Sequence, residues 1–263
     1  MTMLLIWRER DLDRFWMVSD SRLSSPGQIG RHRLTDRGAK ILEAPLVLRR
    51  PSSGSVLGTP IRETMLGFAF TGSSLTALQS YSAVLPLWNR LQTSGLEILP
   101  SIRDCAEHLS KFVRAYFGET EGACECVLIG YDDPSHAVDG WVVEANLVGG
   151  QPTTTVRQLR LSRPGAIEIL GSGRAAAREG LLQFGSCDGE RIWQREPLHM
   201  IRHLLKSDLA DDVGGGVQLG FLTELGFQLN FDVQPFTCES PICERVTPPA
   251  NNAVDTGKSL HIA

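Results

Sequence analysis

Apolar and polar positions fall in blocks at the start of the chain: "MLLIWRE" over 3–9, "RDLDR" over 10–14 and "FWMVS" over 15–19. Trp, Ile, Phe and Val suit a pleated, half-buried surface, so the two apolar runs predict strands. The polar block between them predicts a turn, and the whole reads as an N-terminal hairpin. The second run ends in "SDSRLSS", with Asp20 and Arg22 where the core should continue. Either the strand has reached the surface, or Asp20 is buried beside a cation from elsewhere in the chain.

"HRLTDRGAKIL" comes next, with Gly38 as a turn residue and a short strand over 39–42. Residues 43–65 carry three prolines and Arg49, Arg50 and Arg62 with little periodicity, and read as an exposed excursion near an interface. A strand over 66–71 stops at Gly72, and Ser73 or Ser74 is a good N-cap for a helix with Leu75, Leu78, Tyr81 and Leu85 on one face. "SIRDCAEHLSKFVRAYFGE" is a second amphipathic helix, capped by Ser101 and ended near Gly118. Strands follow in "CECVLIGYD", "GWVVEANLV", "VRQLRLS" and "AIEILGSG". Helices come next in "RAAAREGLLQFG" and "PLHMIRHLLKSDLADD", then strands again in "GGGVQLGFLTELGFQLNF".

Helices thus arrive in consecutive pairs between groups of strands, which argues against a doubly wound parallel sheet and for an α+β fold. Two sheets face to face, each covered by a helix pair, would bury both faces of every strand and account for their continuously apolar character. Residues 235–263 hold four of the 14 prolines and lack periodicity. They read as a flexible C-terminal tail after a domain over 1–234.

Composition narrows the function only by exclusion. A net charge of −4 and a pI near 5.9 give no electrostatic reason to expect nucleic acid or an anionic membrane as partner. No apolar run approaches the ~20 residues that span a bilayer. The N-terminus puts its apolar residues before its charges, the wrong order for a secretory signal, so the expected location is cytoplasmic. Cys124 and Cys126 flank one residue on a strand, without a matching second pair that would complete a zinc site. His199 and His203 share a helix face with no Glu between them. No metal or cofactor is expected.

Five short signatures fall in order: "SDSRLS", "DRGAKIL", "AFTGSSLTALQ", "ILGSGRAAAREG" and "DLADDVGGGVQLGFL". Together, over about residues 2–232, they resemble the proteasome β-subunit branch of the N-terminal-nucleophile (Ntn) hydrolases, including the bacterial proteasome-like proteins. The resemblance implies a four-layer αββα sandwich. It matches Asp20 and Lys40 to that family's paired aspartate and lysine, and Gly72 to its oxyanion-hole glycine. Ser172 matches the serine near the nucleophile's amino group, and Asp211 or Asp212 lies close to the second aspartate. Thr2 would be the nucleophile once the initiator Met is removed, without a propeptide.

In that mechanism the α-amino group is the general base. It titrates at ~7.7–8.0 when unperturbed, and a nearby Lys40 cation disfavours its protonation further. The amine takes the Thr2 hydroxyl proton, the oxygen attacks a peptide or small amide carbonyl, and water resolves the acyl-enzyme. The implied partners are a peptide or small amide substrate and further copies in a homo-oligomeric ring, with any unfoldase unidentified. The alternative is a scaffold or assembly protein that keeps the fold and the Asp20–Lys40 pair without turnover. Met3 and Leu4 after Thr2, and Val213 and Gly214 where the family has a hydroxyl residue, favour that alternative. A small-molecule amidase or acyltransferase on the same fold is a third reading.

Overall fold

The computed structural model describes residues 2–9, 14–26, 31–52, 55–95, 97–135, 137–163, 165–184, 196–207 and 213–231. The tail over 235–263 lies outside them. Strands β1 (Leu4–Arg8) and β2 (Phe15–Asp20) form the N-terminal hairpin that the apolar blocks predict. They belong to a five-stranded antiparallel sheet ordered β11-β1-β2-β12-β13, with β11 at Ile167–Leu170, β12 at Val217–Thr223 and β13 at Gly226–Phe231.

A second sheet has six strands in the order β10-β9-β8-β6-β5-β7. These are β5 (Ile41–Ser52), β6 (Ser55–Gly72), β7 (Leu91–Gln92), β8 (Cys124–Asp132), β9 (Ala137–Val148) and β10 (Gln151–Gln158). All pair antiparallel except β7, which runs parallel to β5. A small hairpin of β3 (Leu23–Pro26) and β4 (Arg31–Thr35) stands apart. The helices are α1 (Ser74–Trp88), α2 (Ile102–Thr120), α3 (Arg174–Phe184) and α4 (Glu196–Ser207). The chain is a mixed α+β protein.

The period-two alternation of β1 explains how the sheets find their neighbours. Leu4 and Ile6 point into a cluster with Ile41, Ala69, Val127 and Val142 of the six-stranded sheet. Met3, Leu5 and Trp7 point the other way, to Ala177 and Leu181 of α3 and Met200 and Ile201 of α4. The far face of the six-stranded sheet, through Phe68, Phe70, Cys126 and Leu128, meets Val84 and Trp88 of α1 and Leu109, Val113 and Phe117 of α2. Strands β1, β2, β6, β8 and β9 therefore bury apolar residues on both faces, although Leu147 and Val148 at the end of β9 stay exposed.

Two readings need correction. The described residues of 43–65 are no irregular excursion but strands of the β5–β6 hairpin. Leu46, Val47 and Leu48 are buried, while the outer part is exposed as expected, at Arg50, Leu57, Thr59, Pro60 and Arg62. Prolines hid the period: Pro45 keeps register with Met65, and the ladder accommodates Pro51 and Pro60 with register shifts between Leu48 and Arg49 and between Arg50 and Ser52. The buried face of α1 is also rotated from the expected one. Thr76, Ala77, Ser80, Val84 and Trp88 are buried, whereas Leu75 is 57% exposed. Small residues let the helix lie close to the sheet, and the large leucines flank that contact. Ser73 caps α1, and Ser101 caps α2 in a reciprocal capping box with Asp104.

Among the described residues no helix is long and apolar enough to cross a membrane. No group of three metal-ligating side chains gathers among them either. His199 and His203 are both exposed on α4.

Candidate functional site

Asp20 is the last residue of β2 and is fully buried. Its Oδ1 accepts from Lys40 Nζ at 2.9 Å and from the Met3 amide at 3.0 Å. Its Oδ2 accepts from the amides of Arg22 at 3.3 Å and Gly214 at 3.2 Å. An ionised carboxylate away from water needs its lone pairs filled, and four donors do so here. The polar end of "FWMVSDSR" is therefore an interior charge site, not a strand reaching the surface.

Lys40 is also fully buried. Burial pushes its ammonium below the ordinary lysine value, Asp20 pulls it back up, and the Arg22 cation lowers it further. The backbone around Lys40 is fixed by Gln218 of β12, which sequence reasoning missed. Gln218 Oε1 accepts from the amides of Lys40 at 2.7 Å and Ile41 at 3.1 Å, and its Nε2 donates to the Gly38 carbonyl at 2.7 Å. A lone Gln in an apolar strand reads as ordinary alternation, so only its partners reveal it.

The loop before β12 completes the enclosure. Ser21 Oγ donates to the Asp36 carbonyl at 2.5 Å and accepts from the Gly216 amide at 2.7 Å. Arg22 Nε meets Asp36 Oδ1 at 2.7 Å, and this bond holds the Asp36 carboxyl below its usual value. Gly215 has φ +79°, and a Cβ there would lie 2.5 Å from both Ser21 Oγ and the Asp36 carbonyl oxygen. The run "VGGG" thus serves close approach, since a side chain would push the Ser21–Asp36 contact apart.

Thr2 precedes β1 and is 3% exposed. Its carbonyl accepts from the Gly173 amide at 3.2 Å. The turn over 171–173 presses on it: Gly171 has φ +84°, and a Cβ there would stand 2.1 Å from the Thr2 carbonyl oxygen and 3.1 Å from Thr71 Cγ2. Ser172, at the apex of that turn, is exposed. Gly72, with φ +83°, ends β6 next to Thr71 and just before the N-cap of α1. Asp211 and Asp212 lie outside the described residues.

A second acidic group anchors the turn, again unforeseen. Glu125 of β8 accepts from Thr71 Oγ1 at 2.7 Å and the Gly171 amide at 2.8 Å through Oε2. Its Oε1 accepts from Arg174 Nη2 at 2.9 Å. Glu125 sits between Cys124 and Cys126, whose sulfurs are 3.9 Å apart in the core, so the alternation turns its carboxylate to the opposite face.

Thr2, Asp20, Lys40 and the Gly171–Gly173 turn are therefore gathered at one end of the sheets, at the starts of β1 and β5. No protein-family model and no curated protein matches the chain. Solved structures do. The chain is similar to Anbu (ancestral beta-subunit) from Yersinia bercovieri, with 12% identity, 90% of this chain and 89% of that one covered, and a TM-score of 0.56. It is also similar to the Anbu complex from Pseudomonas aeruginosa, a helical assembly, with 13% identity, coverage of 89% and 88%, and a TM-score of 0.55. A Gly-1 mutant of Anbu from Hyphomicrobium sp. strain MC1 matches at 13% identity, 88% and 86% coverage and a TM-score of 0.56. These matches correct the assignment to a proteasome β-subunit-like Ntn hydrolase of the bacterial proteasome-like branch, because Anbu is a distinct, proteasome-related family. The short signatures are too brief to separate the two. At this identity the likeness establishes a shared fold, that of the Anbu subunit.

Proposed function

We propose that the chain is a scaffold subunit on the Anbu fold, which assembles with its own copies and uses the Asp20–Lys40 pair to fix its architecture. The elements would form a four-layer αββα sandwich over residues 1–234, followed by the tail at 235–263. One observation carries the reading. Both oxygens of Asp20 are taken by donors from four segments, and Thr2, Asp20 and Lys40 are all closed off from solvent. Such a site holds segments together.

Self-association has separate support. Helix α1 carries no charged residue, yet Leu75 and Leu87 are 57% and 45% exposed on it. The P. aeruginosa Anbu complex is a helical assembly, and an open ring of this chain would follow the same plan, whereas a closed ring would need its rotation to close. Sedimentation at micromolar concentration tests it. Assemblies well above the 28.9 kDa monomer are expected, and a single monomeric species would reject the reading.

A second reading, an N-terminal threonine hydrolase, is favoured by one contact. Met3 N and Lys40 Nζ share Asp20 Oδ1, which brings a buried cation within one residue of Thr2. There Thr2 would be the nucleophile with its own amine as base, Lys40 and Asp20 would tune that amine, and Gly72 would supply the oxyanion-hole amide. Ser172 and Asp211 would assist the amine, and the substrate would be a peptide or other amide. N-terminal sequencing with epoxyketone labelling separates the readings. A free Thr2 that is labelled, with the label lost in Thr2→Ala, establishes the hydrolase. A retained Met1 or an absent label leaves the scaffold.

A further inference from the structure

A cleft of about 470 Å³ between β11 and α3 opens beside the Thr2 site, joined to it through Arg174, which pairs with Glu125. We propose that it is a docking groove for the C-terminal end of an extended, apolar peptide, which lies along the open edge of β11 with its terminal carboxylate on Arg174 and Arg178. The volume is in the ~300–1,000 Å³ range of ligand pockets.

Three observations fix the occupant. First, Ile167, Glu168 and Ile169 all line the cleft. Successive strand residues point to opposite faces, so a groove touching all three runs along the strand's edge. Among the described residues β11 pairs only with β1, and its other edge offers backbone groups to an added strand.

Second, one wall is apolar: Ile167 and Ile169 face the α3 side with Leu181 and Leu182, and Leu182 is 64% exposed. Alternate side chains of an added strand would cover it.

Third, the charge balance leaves room for one anion. Arg157 is matched by Glu144 at 2.7 Å and Glu168 at 3.4 Å. Arg174 meets Glu125 through Nη2 at 2.9 Å, and the rest of its side chain lies along the cleft, 40% exposed. Arg178, one helical turn further on, makes no ion pair among the described residues. A single carboxylate would serve both arginines, while Glu168 along the edge disfavours a second negative charge beside it.

The test uses the full chain and a synthetic hexapeptide, fluorescein-Gly-Ser-Val-Thr-Ile-Leu, as the free acid, as the C-terminal amide, and with alternate backbone amides methylated. Fluorescence anisotropy should show the free acid binding at least about tenfold tighter than the amide, since the carboxylate contact is charge-assisted. Arg178→Ala should remove that preference, Arg178→Lys should restore part of it, and Leu182→Asp should weaken both peptides. Circular dichroism and melting should be unchanged, because both side chains are exposed. Equal binding of acid and amide, indifference to backbone methylation, or no binding at millimolar peptide would overturn the proposal. Displacement by decanoic acid as effective as by unlabelled free-acid peptide would also overturn it, in favour of a fatty-acid site. Oligomer size and threonine labelling enter none of these readouts, so failure here leaves the scaffold proposal standing.

Discussion

The Met3 amide and Lys40 Nζ meet at one oxygen, Asp20 Oδ1, at 3.0 and 2.9 Å. Removing the cation leaves a carboxylate facing three amides with nothing to balance its charge. Breaking a buried pair from one side costs ~3–5 kcal/mol, whereas replacing both partners by neutral groups is far milder. Lys40→Met should therefore lose that much in urea denaturation, and Asp20→Asn/Lys40→Met should recover a large part. A double variant as unstable as the single one would show that the charge itself is not what the site balances.

Gln218 bridges Lys40, Ile41 and Gly38 with one side chain. Gln218→Leu keeps the bulk but strands two amides and a carbonyl, each costing ~1–3 kcal/mol when buried. A loss of at least about 2 kcal/mol is expected in the same assay. Gln218→Glu keeps an acceptor for the two amides and should fall between wild type and Gln218→Leu.

Gly171 and Gly149 form an internal control. Both have positive φ, +84° and +58°, but a Cβ at Gly171 meets the Thr2 carbonyl at 2.1 Å while one at Gly149 meets nothing within 4 Å. The left-handed backbone alone costs ~1–2 kcal/mol for a residue with a side chain. Gly149→Ala should show about that much, and Gly171→Ala clearly more, read as the difference in urea midpoints.

Trp88 Nε1 donates to His108 Nδ1 at 3.1 Å and so joins the end of α1 to α2. Burial, and then the Lys111 charge, lower the His108 pKa below the usual 6.5. The folded state therefore favours the neutral ring. This contribution is present above pH 6.5 and is lost as pH falls through the lower folded value. The melting temperature of wild type should drop between pH 7.5 and 5 by more than that of His108→Asn, which keeps an acceptor but does not titrate. Parallel curves would remove His108 from the acid response.

Much of this was legible in the chain, but unevenly. Strands such as β1, β2 and β8 declared themselves because both faces are buried and their apolar runs are unbroken. Asp20 and Lys40 stood out as charges at the edges of such runs, 20 residues apart, and a resemblance paired them. Glu125 and Gln218 did not stand out, since a single polar residue in a strand looks the same whether it meets water or three buried backbone groups. The α1 face was misread because bulky leucines dominate a periodicity count, whereas close helix–sheet contact selects Ala77 and Ser80. The β5–β6 hairpin was missed because Pro45, Pro51 and Pro60 mimic a loop, though Pro45 keeps its place in the ladder opposite Met65 and only Pro51 and Pro60 fall at register shifts.

The way Asp20 is enclosed also sets an order of events during synthesis. Its partners Met3, Arg22 and Lys40 lie within 20 residues of it, but the Gly214 amide is 194 residues away, and Gln218 is 178 residues from Lys40. At ~5–20 residues per second, roughly 10–35 s pass between translation of Lys40 and of Gln218. Through that interval the growing chain holds a half-built charge site that only its last strands can seal. A product that terminates before Gly214 never seals it, and so lacks both the Gly214 amide on Asp20 and the Gln218 bridge to Lys40.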